Sequence, residues 1–314
     1  MFKLTYIVIL CLIATYVQSR PLSNNMRQDD PVQSAQDAMH FLADFGYIDK
    51  ELDGMLSADS RVGHEMIREY QHMAGLRETG FLDSQTVKTM NKPRCGNPDI
   101  VESAENGVRS RRRRRDTEKT PFFGEPWPRK TLTWRILKHS NSSDLKERES
   151  DVNLIMYQAL QQWARVSGLV FRKAKHGLTP DLKVGFHDMT GDDGFEDKQT
   201  LAHADRPLPD DGSEVHFREE VQWSLKTKGK VTGGESLFAV AIHEFGHSLG
   251  LNHIADRKSI MHESADDIFE LNDKDIKHIQ ELYGKPRKFK ASQKPKPVKH
   301  PNVVSTDDYE PDYE

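Results

Sequence analysis

Residues 243–253 read HEFGHSLGLNH. His243 and His247 are four apart, so on a helix both imidazoles leave the same face, one turn above the other. Gly250 gives the chain a place to turn back, and His253 then returns as a third nitrogen. Three neutral imidazoles with one position left open are how proteins hold a zinc ion that does chemistry, whereas structural zinc is closed off by four protein ligands. Glu244 sits beside these ligands without being needed as one. It is a candidate general base that takes a proton from water and passes it to a departing amine, which is peptide hydrolysis without a covalent intermediate. A buried helix with satisfied histidines is the plainer reading. It suits the shorter pair His64-Glu65, whose i+4 position is Arg68, but in the longer stretch it requires three histidines, the Glu and the Gly to coincide.

These residues need a frame, and the pattern around them supplies one. Thr131–Ile136 and Asp181–Phe186 alternate like half-buried strands, and Leu201–Ala204 and Glu214–Phe217 are further short strand candidates. Between the first two, Val152, Ile155, Met156, Ala159, Leu160 and Trp163 form the stripe of a long amphipathic helix. The histidine helix is expected to start at a capping box over Thr232–Glu235 and to run to Leu249. A last helix begins around Asn272 and stops at Gly284. Upstream, Ser34–Ile48, residues 62–75 and residues 83–90 predict three short helices, the third capped by Asp83 or Ser84. Met261 either makes a tight turn under the metal or is an ordinary core methionine.

The 314 residues suffice for two modest domains with appendages, and the net charge of −4 is distributed unevenly. The opening MFKLTYIVILCLIATYVQS has a Lys, a short apolar run and small residues before Arg20, so residues 1–19 read as a cleaved signal peptide and the product as secreted. No membrane anchor is expected. Cys11 leaves with that segment, and Cys95 remains as a lone thiol in an oxidising compartment. It is a buried structural thiol, half of a disulfide to a second chain, or a group with a task. Arg111–Arg115 is an unbroken basic run in a polar, aperiodic stretch, which points to proteolytic processing after Arg115 rather than to nucleic acid. Residues 287–314, Lys/Pro-rich and then acidic, read as a disordered tail. Asn141-Ser-Ser is a glycosylation sequon in a polar turn.

The histidine stretch with its following Met resembles the metzincin proteases, and PRCGNPD at 93–99 narrows the resemblance to the matrix metalloproteinases. AGLRETGFLDSQTVKTM, LAHA and LNDKDIKHIQELYG extend it over most of residues 35–285. It implies an α+β fold with a twisted, mostly parallel five-stranded sheet and three helices, preceded by a small three-helix prodomain. The implied division is a prodomain over 20–99, a linker over 100–115 that furin-like convertases cut, and a catalytic domain over 116–286, in a short matrilysin-like form with no hemopexin-like propeller after it. Cys95 is similar to the family's cysteine switch, which fills zinc's open position in the latent enzyme, and Arg94 and Asp99 to the salt bridge that shapes that loop. The implied substrates are extracellular or matrix proteins such as collagen, with tissue-inhibitor-type proteins as further partners.

Several positions depart from the family. Asn97 stands where Val is usual, an exchange expected to loosen the switch. His203 and His216 match two ligands of a second, structural zinc; His187 is the available third, and the carboxylate is Asp188, Asp192 or Asp193. Arg218 and Val221 replace an acidic pair, so one calcium site is expected to be lost, while Asp181, Asp210, Gly212 and Glu214 are candidates for another. Ile254 replaces Ser or Thr, and His262, Glu263 and Ser264 follow Met261 without the usual Pro and Tyr of the specificity pocket. Two alternatives stay open: another metzincin, such as an astacin-like enzyme, and a catalytically inactive secreted binding protein on the same scaffold. Glu244 and Cys95 speak against the second, since a dead descendant needs neither.

Overall fold

The computed structural model describes residues 31–101, 122–188, 199–264 and 267–286. The signal segment, the basic run with Arg115, Asp192, Asp193 and the acidic tail lie outside the described residues.

The N-terminal helices are α1 (Ala35–Asp44), α2 (Arg61–Met73) and α3 (Ser84–Met90). Ser34 and Asp37 form a capping box at the start of α1, Ser60 caps α2, and Asp83 caps α3 through the amide of Thr86. Their apolar faces meet in a core of their own around Phe41, Leu42, Tyr47, Ile67, Tyr70 and Met90. Gln71, fully buried in α2, donates to Thr79, Thr86 and the Phe81 carbonyl and accepts from the Gly80 amide, tying the following loop to the bundle.

The second core belongs to one sheet and three helices. The strands are β1 (Arg94–Cys95), β2 (Thr131–Lys138), β3 (Val170–Lys173), β4 (Leu182–His187), β5 (Thr200–Ala204) and β6 (Ser213–Arg218), in the order β1-β5-β6-β4-β2-β3. Only the β5–β6 pair is antiparallel. Five of these strands, β2–β6, come from the region where five were expected, and the upstream segment carrying Cys95 adds β1 beside β5 as a sixth. A separate two-stranded ribbon pairs β7 (Trp223–Ser224) with β8 (Glu235–Ser236).

Helix α4 (Glu149–Val166) buries the whole stripe Val152, Ile155, Met156, Ala159, Leu160 and Trp163, and Trp163 Nε1 donates to the Ile242 carbonyl of α5 (Leu237–Ser248). All twelve residues of α5 are buried. Its start differs from the expected capping box at Thr232–Glu235: Ser236 is the cap, accepting from the Ala239 amide at 3.2 Å. Glu235 instead pairs with Trp223 in the ribbon, so it cannot be the third helical residue that a box opening at Thr232 requires. Helix α6 (Asp273–Tyr283) has the Asn272/Asp275 capping box, and buried Asp275 reaches on to the Ile260 amide and the Ser259 hydroxyl. The cap of α6 thereby fixes the turn that holds Met261.

Candidate metal centre

The reversal after α5 turns on Gly250, whose φ of +95° is costly for other residues. Its amide donates to the His247 carbonyl at 2.8 Å, and Leu251 donates to Gly246. His253 thus comes back under the helix. Met261 is fully buried against it: a Cβ on Gly246 would lie 2.3 Å from Met261 Sδ and 3.0 Å from Trp163. Met261 answers to both readings: it belongs to the hydrophobic core, and it packs so closely under Gly246 of the histidine helix that a side chain there would collide with it.

The three rings meet through Nε2, at 3.0 Å (His247–His243), 3.2 Å (His247–His253) and 3.3 Å (His253–His243). Each opposite nitrogen faces an acceptor: Nδ1 of His243 the Ile260 carbonyl at 2.7 Å, of His247 the Leu251 carbonyl at 2.8 Å, and of His253 Asp99 Oδ1 at 2.7 Å. A carbonyl cannot donate, so the ring proton sits on Nδ1 and the Nε2 lone pairs converge. Burial, followed by the neighbouring imidazoles, depresses His243 to about 3 and His247 well below its ordinary value. Burial also lowers His253, against the pull of Asp99. The histidines are therefore neutral, and converging lone pairs at this distance call for a cation.

Cys95 completes the group, with Sγ 3.5 Å from His247 Nε2 and 3.7 Å from Glu244 Oε2. Among the described residues this is the set of metal-capable side chains whose donor atoms all fall within 4.8 Å of one another. Zinc bonds of about 2.0–2.1 Å to nitrogen and about 2.3 Å to sulfur give tetrahedral edges of about 3.3 Å and about 3.5 Å. The donor set fits zinc in type and spacing. Burial, then Glu244, pushes the Cys95 thiol well above its ordinary value; a dication among these nitrogens would reverse that and favour thiolate.

Glu244 is fully buried, its Oε1 has no hydrogen-bond partner, and burial pushes its carboxyl up to about 8. Beside it a cavity of about 30 Å³ is lined by Cys95, Leu201, Val240, His262, Glu263 and Ile268. The residues after Met261 that depart from the family thus face this cavity. Burial, then Asp99, also raises the Glu263 carboxyl to about 8, with Arg94 pulling the other way.

The segment bearing Cys95 is held on both sides. Arg94 donates its backbone amide to the Gln199 carbonyl, Cys95 to Glu263 and Gly96 to Ala202. The Arg94 guanidinium pairs with Asp99 Oδ1 at 2.6 Å and lies 3.5 Å above the Phe45 ring. Burial alone would raise the Asp99 carboxyl, but Arg94 and His253 outweigh it and hold it well below the usual range. Asn97 has polar partners that the expectation of a loosened position did not include. Its Oδ1 accepts from the Ala204 amide at 2.9 Å and its Nδ2 donates to the Ala204 carbonyl at 2.7 Å, so one side chain pairs with the edge strand as a peptide group would. No local pattern marks this partner, nor Asp99 as the acceptor for His253, since both contacts span more than a hundred residues.

The other candidate sites are less complete. His203 and His216 face each other across the β5–β6 pair, with ring centroids 5.1 Å apart, and the His187 ring lies 4.2 Å from that of His216, tilted by 36°. Asp188 follows β4, exposed, and the loop with Asp192 and Asp193 lies outside the described residues. Arg218 reaches the Thr200 carbonyl and Glu220, bringing a cation where the family has acids. Asp181 is engaged by Arg129 and by the Thr133 amide and hydroxyl, and Glu214 by Lys183 at 3.1 Å. Those carboxylates serve donors of their own chain, and with Asp210 and Gly212 they form no metal-capable cluster among the described residues. Asn141 is exposed in its turn.

Comparison with known proteins agrees with this geometry. The family model Peptidase_M10, Matrixin, matches residues 126–284. Human matrix metalloproteinase-25 is 35% identical over 275 residues, 81% of this chain and 46% of the relative. Rabbit macrophage metalloelastase is 35% identical over 237 residues, 74% of this chain and 46% of the relative. The chain thus spans about half the length of these two. Human matrilysin is 32% identical over 291 residues, 90% of this chain and 97% of matrilysin. A family model over half the chain and a relative matched almost end to end place it plainly: the chain belongs to the matrixin family, the matrix metalloproteinases.

Proposed function

We propose that the chain is a secreted zinc endopeptidase of extracellular proteins, made latent and released when the segment bearing Cys95 is cut away after Arg115. One observation carries this reading: three neutral imidazole nitrogens and one thiol converge at tetrahedral spacing beside a buried carboxyl. His243, His247 and His253 would hold the metal, and Cys95 would hold it in the latent form. A zinc ion there supplies Lewis acidity, polarising a carbonyl and acidifying water.

The chain's own residues do the rest. When the thiol departs, water can enter where Sγ stood, 3.7 Å from Glu244 Oε2. Glu244, held as a carboxylate by a dication on the neighbouring imidazoles, would take its proton and return it to the departing amine nitrogen. The loss of β1 also frees the edge of β5, where the Gln199, Ala202 and Ala204 backbone groups become available to an extended peptide as an added strand. In this reading the basic run is the convertase site, residues 1–19 direct secretion, Asn141 is glycosylated, and His187, His203 and His216 take a second zinc with a carboxylate from the following loop. No helix among the described residues is long and apolar enough to cross a membrane.

The test uses the processed protein, assayed on a quenched peptide with and without a zinc chelator, beside Glu244→Ala. The variant should fold, keep the parent's zinc content and lose turnover. Undiminished turnover, or a folded protein without stoichiometric metal, overturns the reading.

A further inference from the structure

The three histidines are not held alike. His243 and His247 donate Nδ1–H to backbone carbonyls of their own core, those of Ile260 and Leu251. His253 donates to a carboxylate 154 residues upstream, Asp99 Oδ1 at 2.7 Å, in the same short segment as Cys95. That carboxylate is no chance neighbour. Both side chains are fully buried, Oδ1 also receives Arg94 Nη2 at 2.6 Å, Oδ2 receives the Tyr47 hydroxyl at 2.8 Å, and the Asp99 amide donates to the Phe45 carbonyl at 3.1 Å. The N-terminal bundle thus fixes one ionised acceptor against the outer nitrogen of one ring.

We propose that Asp99 is a positioning residue for His253, so that the upstream segment grips the metal twice, directly through Cys95 and indirectly through this ring. A carboxylate partner makes an imidazole a stronger donor to a metal than a carbonyl does, and loss of such outer partners typically weakens binding about 10- to 100-fold. Cutting the segment away would then leave a centre that has lost a thiolate and also has a less basic third ligand. The released enzyme would yield its zinc to competitors far more readily than the intact chain. The inference rests on the reading above that these nitrogens are zinc ligands.

The experiment keeps the chain whole and removes the thiolate as a variable. Zinc affinity is measured by competition with a chromogenic chelator for Cys95→Ser and for Cys95→Ser/Asp99→Asn. The second variant should bind about 10- to 100-fold more weakly, and with cobalt in place of zinc its visible bands should shift. Equal affinity and unchanged bands overturn the inference while leaving the parent reading intact. Absence of stoichiometric zinc from folded Cys95→Ser overturns the parent reading, and this one with it. Should Asp99→Asn fail to fold, proton NMR of the zinc-loaded parent chain decides. The His253 Nδ1 proton, on a carboxylate, should lie well downfield of those of His243 and His247, and three equivalent shifts would refute the proposal.

Discussion

Asn97 offers the sharpest test of how the upstream segment is held. Replacing it with Ala deletes two hydrogen bonds, at 2.9 and 2.7 Å, and leaves the Ala204 amide and carbonyl without partners at a site where Asn97 is only 5% exposed. A net hydrogen bond contributes about 1 kcal/mol, and an orphaned buried polar group costs about 1–3 kcal/mol. The closed state should therefore lose about 2–4 kcal/mol relative to states in which the segment has lifted and water satisfies Ala204. At about 1.4 kcal/mol per factor of ten, the open population rises roughly 30- to 1,000-fold. Cys95 is buried when closed, so its labelling by an aromatic disulfide reports the open fraction. The assay compares labelling rates of the zinc-loaded parent and Asn97→Ala, with Cys95→Ser as the blank. A rise within that range is expected; a folded variant labelled within twofold of the parent would refute the clamp.

Four further outcomes follow from the same geometry. Gly246→Ala should lower the melting temperature and weaken zinc binding, since its Cβ would meet Met261 Sδ at 2.3 Å and overpacking costs about 1–3 kcal/mol. Arg94→Ala should destabilise the N-terminal bundle by about 3–5 kcal/mol in a denaturant titration, because Asp99 would stay buried without its cation. The chelator-treated chain should lose stability as pH falls from about 6.5 toward about 3. Burial depresses His243 to about 3 from 6.5, so the unfolded chain binds more protons than the folded one in that window; thermal melts against pH read the slope. Glu244 acts at the other end. Its carboxyl is raised from 4.5 to about 8, so folding favours the protonated form, and stability drains as pH rises through that interval. Glu244→Gln in the metal-free chain should flatten this alkaline limb, which the same melts record.

Much of this architecture could be read from residue types, for physical reasons that also mark where reading stops. The α4 stripe, the helix starts at Ser34 and around Asn272 and the Asp83 cap are local signals, and the structure bears them out. So is the i, i+4 histidine pair with a glycine reversal after it. Strand β3 went unseen because VFRK is short and leaves Val170 exposed, with no alternation to notice. β1 is two residues in a Pro/Gly context and is a strand only because β5 lies beside it. The start of α5 was misplaced because Thr232–Glu235 looks like a cap, whereas Gly233 and Gly234 have φ of +79° and +88° and feed a strand. Asn97 was read as a loosened position because only its lost apolar bulk was visible. Its gain depends on where the Ala204 peptide group lies, which no local pattern encodes.

The sixth strand has a consequence for the molecule's life in crowded surroundings. An uncovered sheet margin is a template on which identical chains can dock edge to edge, and proteins usually blunt it with charge, proline or a covering element. Here Leu201, Ala202 and Ala204 are buried along β5, and the cover is the very stretch that activation would discard. In the uncut chain β1 seals that margin. If the segment is cut away as proposed, the margin that would admit a peptide would also admit a neighbour's strand, and the cut form is expected to self-associate more readily at high concentration than the uncut chain.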